Sequence, residues 1–195
     1  MSNIKGKPTP LTLSNNVLEA LAAVLKHDFV HIREISRMTG VSPTTAGNAL
    51  KELEENNILS KKTLGKNCFY SLNKNQKSRK LVAIVEDYNF LKACSDKAFS
   101  IFSEGILKDV KDIKNFIDFM TVSDDGSGPS ILLVTSLDND TVKSRLSKSS
   151  SDRIKKIMIL TRENFRNNLE EDMIKNLLKD HITIFGTERL IDTIY

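Results

Sequence analysis

The sequence has few of the residues that build metal sites and covalent frameworks. Its 195 residues include two cysteines, Cys68 and Cys94, and three histidines, His27, His31 and His181. No two of these residues have the spacing of a zinc site, and two distant cysteines do not make a disulfide framework. We therefore predict buried free thiols, histidines with structural or solvent-facing roles, no bound metal and no cofactor.

Long apolar segments are also missing. No segment approaches the roughly 20 apolar residues that a membrane-spanning helix needs. The first five residues, MSNIK, do not form the apolar stretch of a secretory signal. We therefore predict a cytoplasmic protein with no membrane partner.

The charge is unevenly distributed along the chain. The whole sequence carries a net charge of +4, but residues 1–80 contain 13 basic and 6 acidic side chains, a net charge of +7. Residues 81–195 contain 16 basic and 19 acidic side chains, a net charge of −3. This asymmetry predicts a basic module for a polyanion joined to a second module with another role.

Residues 14–75 have the pattern of one small domain, after a flexible arm over residues 1–13. Apolar residues at helical spacing predict a helix over residues 15–27. A second helix over residues 32–39 stops at Gly40. A third starts at Ser42-Pro43, a favoured N-cap followed by a favoured first residue, and runs to Asn56-Asn57. Residues 58–63 and 68–72 predict a β-hairpin. This order of elements is that of a winged helix-turn-helix domain.

The outer face of the third helix and the hairpin carry the side chains suited to DNA. Asparagine pairs with adenine, threonine offers a hydroxyl and a methyl group, and lysine contacts phosphate or guanine. A wing rich in lysine suits the phosphate backbone, although any single lysine also serves solubility. The predicted DNA-contacting residues are Ser42, Thr44, Thr45, Asn48 and Lys51 on the helix, and Lys61, Lys62, Lys66 and Asn67 on the hairpin.

Four segments carry a family resemblance: IREI (32–35), TGVS (39–42), LKELEENNIL (50–59) and FYSL (69–72). Together they resemble the winged helix-turn-helix of ArsR- and MarR-type prokaryotic transcriptional regulators, over about residues 11–75. The resemblance implies sequence-specific binding of double-stranded DNA, commonly as a homodimer. The metal-binding cysteines of the metal-sensing branch have no counterparts here, so metal sensing is not expected.

Residues 76–104 are predicted to form a linker or dimerisation helix. Between Leu81 and Phe102, apolar residues recur on what reads as one helical face. This face either packs on the second domain or pairs with its counterpart in a homodimer, and the sequence leaves both alternatives open.

Residues 105–195 alternate strands with helices, so that the whole chain is predicted to have an α+β fold with a mixed α/β second domain. The predicted strands cover residues 116–122, 131–135, 154–160 and 182–185. The predicted helices cover residues 138–149, a segment capped by Thr161, residues 170–179 and the residues after Gly186.

This second half resembles the minimal nucleotidyltransferase domains of the DNA polymerase beta-like fold, in the segments FIDFMT (116–121), SILLV (130–134) and LKDHITIFG (178–186). A winged helix joined to such a domain is an arrangement of archaeal chains. The resemblance implies a strand that carries paired aspartates for magnesium and a Gly-Ser step. Residues 129–134 contain no aspartate, and Met120-Thr121 replaces Gly-Ser. The adjacent Asp124 and Asp125 would point to opposite sides of an extended segment.

We therefore predict a degenerate domain rather than an enzyme, since no other catalytic motif is present either. In this interpretation the protein is a transcriptional regulator whose second domain dimerises it or senses a small ligand or a protein partner. The alternative function is a nucleotidyltransferase whose winged helix selects the substrate. A third interpretation makes the winged helix a module for protein interaction.

Overall fold

The computed structural model describes residues 10–27, 29–65, 67–146 and 154–195. The chain divides into two compact units, Met1–Val85 and Glu86–Tyr195. The division falls inside one helix, whereas the sequence pattern placed domain limits after residues 75 and 104. The fold is α+β with two small sheets, as predicted for the chain as a whole.

The first unit consists of helices packed on a three-stranded antiparallel sheet. Its elements are α1 (Asn15–Leu25), β1 (Val30–His31), α2 (Ile32–Thr39), α3 (Pro43–Glu55), β2 (Leu59–Leu64), β3 (Asn67–Leu72) and the first part of α4 (Gln76–Ala93). The strand order is β1-β3-β2. The three predicted helices and the hairpin are confirmed, with α1 ending at Leu25 rather than at residue 27.

The core of this unit forms where α3 packs on both α1 and α2. Leu21, Ile35, Leu50 and Leu53 are fully buried there. Ala46 and Ala49 are buried on the same side of α3. These short side chains let α3 approach the neighbouring helices closely. The apolar stripe of α3 faces the core, and its polar side therefore faces solvent.

The second unit is built on a four-stranded sheet. After the second part of α4, its elements are α5 (Lys97–Asp109), a 3₁₀ turn (Lys111–Phe116), β4 (Ile117–Asp124), β5 (Pro129–Thr135), α6 (Asn139–Leu146), β6 (Lys156–Leu160), α7 (Arg162–Asn167), α8 (Asp172–Lys179), β7 (Ile182–Phe185) and α9 (Thr187–Ile194). The strand order is β6-β5-β4-β7, in which β5 and β6 are parallel and the other pairs are antiparallel.

Both faces of this sheet are covered by helices. One face packs against Ile106 of α5 and Val142 of α6. The other face packs against Phe165 of α7, Ile174 of α8 and Leu190 of α9. A sheet covered on both sides needs apolar residues on both sides, which accounts for the continuous apolar run in β5.

The single apolar face predicted between Leu81 and Phe102 is wrong. The segment forms two helices, because Asp96 caps a new helix by accepting a hydrogen bond from the backbone N–H of Ala98 at 2.7 Å. Leu81 and Phe102 are buried, but Leu91 is 67% exposed. Helical spacing does not continue across a break, so residues before and after Asp96 do not share a face.

Smaller differences concern the cysteines and two helix limits. Cys68 and Cys94 are free, but they are half-buried rather than buried. Helix α6 covers Asn139–Leu146, and residues 147–149 of its predicted range lie outside the described residues. Helix α8 starts at Asp172 rather than at residue 170.

A buried polar network joins α4 to β7 inside the second unit. The His181 Nδ1–H donates to the carbonyl oxygen of Leu178, and Nε2 lies 3.2 Å from Oε2 of Glu86. Thr183 Oγ1 donates to the same carboxylate oxygen at 2.8 Å. Because Nδ1 carries its hydrogen toward a carbonyl, a neutral ring would turn the lone pair of Nε2 toward the carboxylate, which disfavours the neutral form. The contact is therefore an ion pair between imidazolium and carboxylate, which gives His181 a structural role.

The surroundings of Glu86 act on its pKa in opposite directions. Burial raises the pKa of this carboxyl group, while the hydrogen bond and positive charge of His181 and the hydroxyl of Thr183 lower it. The partners prevail, and the pKa of Glu86 lies below its ordinary value.

Gly186 marks a close approach between the end of β7 and β4. Its φ is +78°, and a Cβ at this position would collide with the carbonyl oxygen of Asp118 and with Cα of Phe119. The backbone atoms of β4 cannot move aside in the way that a flexible side chain can. Glycine is therefore required here for both conformation and space.

Replacing Gly186 by alanine should destabilise the second unit by about 2–4 kcal/mol, because left-handed strain and overpacking add. Gly126→Ala is the matched control, since its φ is +88° but no atom lies within 4 Å of the added Cβ. The control should cost only about 1 kcal/mol. Urea unfolding followed by circular dichroism gives both values, and equal losses would show that the close approach has no energetic effect.

Replacing Glu86 by glutamine should lower the free energy of unfolding near neutral pH by about 2–4 kcal/mol, because a buried imidazolium loses its counter-charge. The folded-state pKa of Glu86 is lowered, so its contribution is present above the unfolded pKa of about 4.3 and is lost as pH falls through the folded pKa.

The difference between wild type and this variant should therefore shrink as the pH is lowered below about 4. Glu104→Gln, an exposed carboxylate change on α5, serves as the control and should alter stability little. A wild-type advantage that does not decrease as the pH is lowered below the unfolded pKa of about 4.3 would contradict the ionised pair.

Candidate nucleic-acid interface

A hydrogen-bonded turn fixes where α3 begins relative to α2. Gly40 ends α2 with a φ of +72°, and its N–H donates to the carbonyl oxygen of Ser36 at 3.0 Å. Ser36 Oγ donates to the carbonyl oxygen of Val41 at 2.7 Å. Ser42 then caps α3, since its Oγ accepts a hydrogen bond from the backbone N–H of Thr45 at 3.1 Å. The first turn of α3 is thereby held at a defined position.

Three of the predicted contact residues share one solvent-facing side of α3. Thr44, Asn48 and Lys51 are exposed and follow each other at helical spacing. The Lys51 ammonium lies 3.6 Å from Oε1 of Glu55, and these side chains are 71% and 52% exposed. Such an exposed pair contributes little and opens easily, so the Lys51 ammonium can reach a phosphate or a base edge.

Ser42 and Thr45 take part in the helix cap. Their hydroxyl oxygens lie 2.9 Å apart and share a hydrogen bond. Ser42 is exposed, whereas Thr45 is half-buried and lines a shallow cleft with Asn48 and Glu52 beside α1. Both hydroxyls therefore hold the start of the helix, next to the face formed by Thr44, Asn48 and Lys51.

The two described hairpin lysines point in opposite directions. Lys61 pairs across the hairpin with Tyr70, and Lys62 pairs with Phe69. Successive strand residues alternate between faces, so Lys61 shares the face of the buried Tyr70, and Lys62 shares the other face with Phe69. Asn67 is exposed at the end of the hairpin, where it pairs with Leu64. Lys66, the third predicted lysine, lies outside the described residues.

A cleft of about 540 Å³ separates α3 from the hairpin. Its lining residues include Lys51, Glu54 and Glu55 of α3, and Lys61 and Tyr70 of the hairpin. Burial raises the pKa of the Tyr70 hydroxyl, and the nearby charge of Lys61 acts in the opposite direction. Lys51 and Lys61 therefore face one cleft, whereas Lys62 lies on the far side of the hairpin.

The sequence reasoning missed three glutamates of α3 that belong to this region. Glu54 and Glu55 line the cleft with the lysines. Oε1 of Glu52 accepts a hydrogen bond from the backbone N–H of Thr12 at 2.7 Å, which ties the segment before α1 to α3. The helical spacing of Glu52 and Glu55 from Asn48 and Lys51 was a signal that would have identified two of them.

The adjacent Asp124 and Asp125 both accept hydrogen bonds from the turn that follows β4. Asp124 Oδ1 accepts hydrogen bonds from the backbone N–H groups of Gly126 at 2.8 Å and Gly128 at 3.2 Å. Asp125 accepts hydrogen bonds from the side chain and the backbone N–H of Ser127, which lower the pKa of the Asp125 carboxyl group. The two aspartates thus shape the turn between β4 and β5.

Within the described part of the chain, no group of three His, Cys, Asp or Glu residues is placed to hold a metal ion. Across the same residues, no helix combines the length and the apolar character needed to cross a bilayer.

No protein-family model, curated protein or solved structure matches this chain. The function is therefore inferred from the site itself.

Proposed function

We propose that the protein is a transcriptional regulator that binds double-stranded DNA sequence-specifically. In this proposal the first unit is a winged helix-turn-helix of the ArsR or MarR type, α3 is its recognition helix and the β2–β3 hairpin is its wing. The observation that carries the proposal is the exposed side of α3 formed by Thr44, Asn48 and Lys51, beside a turn that fixes the start of this helix. A helix that reads the major groove needs this support from the preceding helix.

The exposed residues of α3 suit base reading at the start of the helix. Asn48 offers an amide oxygen and an amide nitrogen for an adenine edge, and Thr44 offers a hydroxyl and a methyl group. Recognition helices contact base edges through their N-terminal residues. The glutamates at positions 52, 54 and 55 follow later in the helix, so Thr44 and Asn48 would enter the groove ahead of the acidic side chains.

The charge of the first 80 residues, +7, supplies the long-range attraction to a polyanion. Lys51 and Lys61 on the shared cleft would contact phosphates on either side of the groove. These contacts position the domain, whereas Asn48 and Thr44 select the sequence.

The second unit has, in this proposal, a degenerate nucleotidyltransferase-like architecture and no catalytic step. The lack of a carboxylate on β5 supports this, since phosphoryl chemistry of that kind needs metal-binding aspartates. The unit would dimerise the regulator or sense a ligand or partner in the cytoplasm. A homodimer would place two recognition helices about 34 Å apart, one turn of DNA, and would read a pseudo-palindromic operator.

Replacing Asn48 by alanine should weaken binding to the preferred sequence about 10- to 100-fold, because a bidentate base contact is lost. Binding to random duplex DNA should change less than about threefold, since non-specific binding depends on phosphate contacts. The preferred sequence is first obtained by sequencing the genomic fragments that the full chain retains. Fluorescence anisotropy then gives both dissociation constants.

The control for this variant is Asn139→Ala, which changes an exposed asparagine in the second unit. It should leave both dissociation constants unchanged. Equal weakening of preferred and random DNA by Asn48→Ala would mean that Asn48 does not read bases.

Lys61 and Lys62 provide a matched pair of the same charge on opposite faces of the hairpin. Lys61→Gln should reduce the slope of log K against log salt by about 0.9, the value for one phosphate contact. Lys62→Gln should leave the slope unchanged, because its side chain lies on the face away from the cleft with α3. The proposal therefore omits Lys62 from the DNA contacts predicted from the sequence. Titrations between 50 and 200 mM salt, roughly the range where counterion release dominates, measure both slopes.

Two results would contradict this assignment. Equal reductions in the two variants would show that the faces of the hairpin do not distinguish the lysines. Unchanged slopes in both variants would place the hairpin outside the interface.

A further inference from the structure

The sheet of the second unit has a polar end on one of its two buried faces. Ser123 of β4, Ser130 of β5 and Lys156 of β6 are register partners across the three strands. Strand alternation places them on the same face as the buried Leu132 and Met158. A sheet covered by helices is expected to be apolar there. The polar row therefore marks where the cover of α8 leaves the sheet open.

A cleft of about 420 Å³ opens above this polar row. Ser123, Ser130 and Lys156 form one side of it, and Met173, Asn176 and Leu177 of α8 form the other. Small-molecule sites are clefts of about 300–1,000 Å³ that combine an apolar wall with a few polar groups. The cleft thus has the size and the lining of a site for a small ligand.

The two neighbouring lysines at this cleft differ in their partners. The Lys155 ammonium lies 3.5 Å from Oδ2 of Asp125 and also contacts Ser127, so its charge has a nearby counter-charge. The Lys156 ammonium lies 3.4 Å from Sδ of Met173, and no carboxylate of the described residues forms an ion pair with it. Lys156 therefore directs its positive charge to a place lined by hydroxyls and an apolar wall.

The surrounding charges limit what this lysine can accept. Asp124, Asp125 and Asp180 also line the cleft and repel every negative charge on a ligand, so a dianion is repelled more strongly than a monoanion. Met173 and Leu177 offer contact to an apolar body but nothing to a bare inorganic ion. A ligand with one negative charge and a short hydrocarbon body satisfies both conditions.

We infer that this cleft binds a short-chain aliphatic carboxylate. The carboxylate accepts hydrogen bonds from the Lys156 ammonium, from the hydroxyls of Ser123 and Ser130 and from the Asn176 amide. The hydrocarbon body packs on Met173 and Leu177. The inference concerns the second unit alone and does not depend on DNA binding by the first.

The test is a titration of the full chain, carrying ¹³C-methyl methionine, with 3-methylbutanoate. The Met173 methyl resonance, assigned with Met173→Leu, should shift saturably with a dissociation constant of about 1 mM or tighter. Three comparison probes are 3-methylbutan-1-ol, 3-methylbutylamine and inorganic phosphate. Each should bind at least about tenfold more weakly, because the alcohol lacks the charge, the amine reverses it and phosphate lacks the hydrocarbon body.

Two variants locate the site. Lys156→Met should weaken 3-methylbutanoate binding at least about tenfold, and Ser130→Ala should weaken it by a smaller factor. Lys175→Met is the matched control, since Lys175 lies on α8, pairs with Glu170 at 2.7 Å and does not line the cleft. Unshifted resonances of the other methionines verify that each variant is folded.

Several results would overturn the inference. The first is the absence of a saturable shift with 3-methylbutanoate. The second is binding of the alcohol, the amine or phosphate that is as tight as that of 3-methylbutanoate or tighter. The third is an unchanged dissociation constant of Lys156→Met for 3-methylbutanoate. None of these results bears on the DNA titrations, so the proposed function is judged separately.

Discussion

The turn between α2 and α3 is the constraint on which the arrangement of the first unit depends. Gly40 has a left-handed φ of +72°, and a Cβ there would meet no atom within 4 Å. Glycine is therefore favoured at position 40 by the left-handed backbone conformation and not by a lack of room for a side chain. The hydroxyl of Ser36 ties this turn internally, and Ser42 starts the next helix at once. Because the buried side of α3 must face the core, this turn also determines which residues α3 presents to solvent.

The two units use their charged residues differently. In the second unit, Asp118 receives two hydrogen bonds from the Arg162 guanidinium, at 3.0 and 2.7 Å, and Glu86 and His181 form a buried pair. These charges hold elements of the unit to one another. In the first unit, Lys51 is exposed on α3 with a weak partner and Lys61 is exposed on the hairpin. The named ion pairs of the second unit thus hold its elements together, whereas Lys51 and Lys61 of the first unit lie exposed at its surface.

Local signals predicted individual helices and strands in both units, whereas contacts between distant residues were not predicted. The cap at Ser42 located the start of α3, and the apolar run over residues 182–185 located β7, because these signals lie in adjacent residues. The break at Asp96 was missed because apolar residues happen to continue at helical spacing on both sides of it. The partner of Glu86 was not predictable, since His181 and Thr183 are brought to it only by the completed sheet.

For the proposed interface, the sequence predicted which residues of α3 are exposed but not the acidic charges that lie beside them. Exposure of Thr44, Asn48 and Lys51 follows from the buried stripe of α3, which the sequence pattern indicates. The glutamates in the second half of α3 change the argument about affinity, because carboxylates near a groove repel phosphates as Lys51 and Lys61 attract them. In the proposed regulator, repulsion between the glutamates and the phosphates lowers the affinity for non-specific DNA and leaves the base contacts of Asn48 intact. A larger ratio of specific to non-specific binding is what a regulator needs among the many competing sites of a genome.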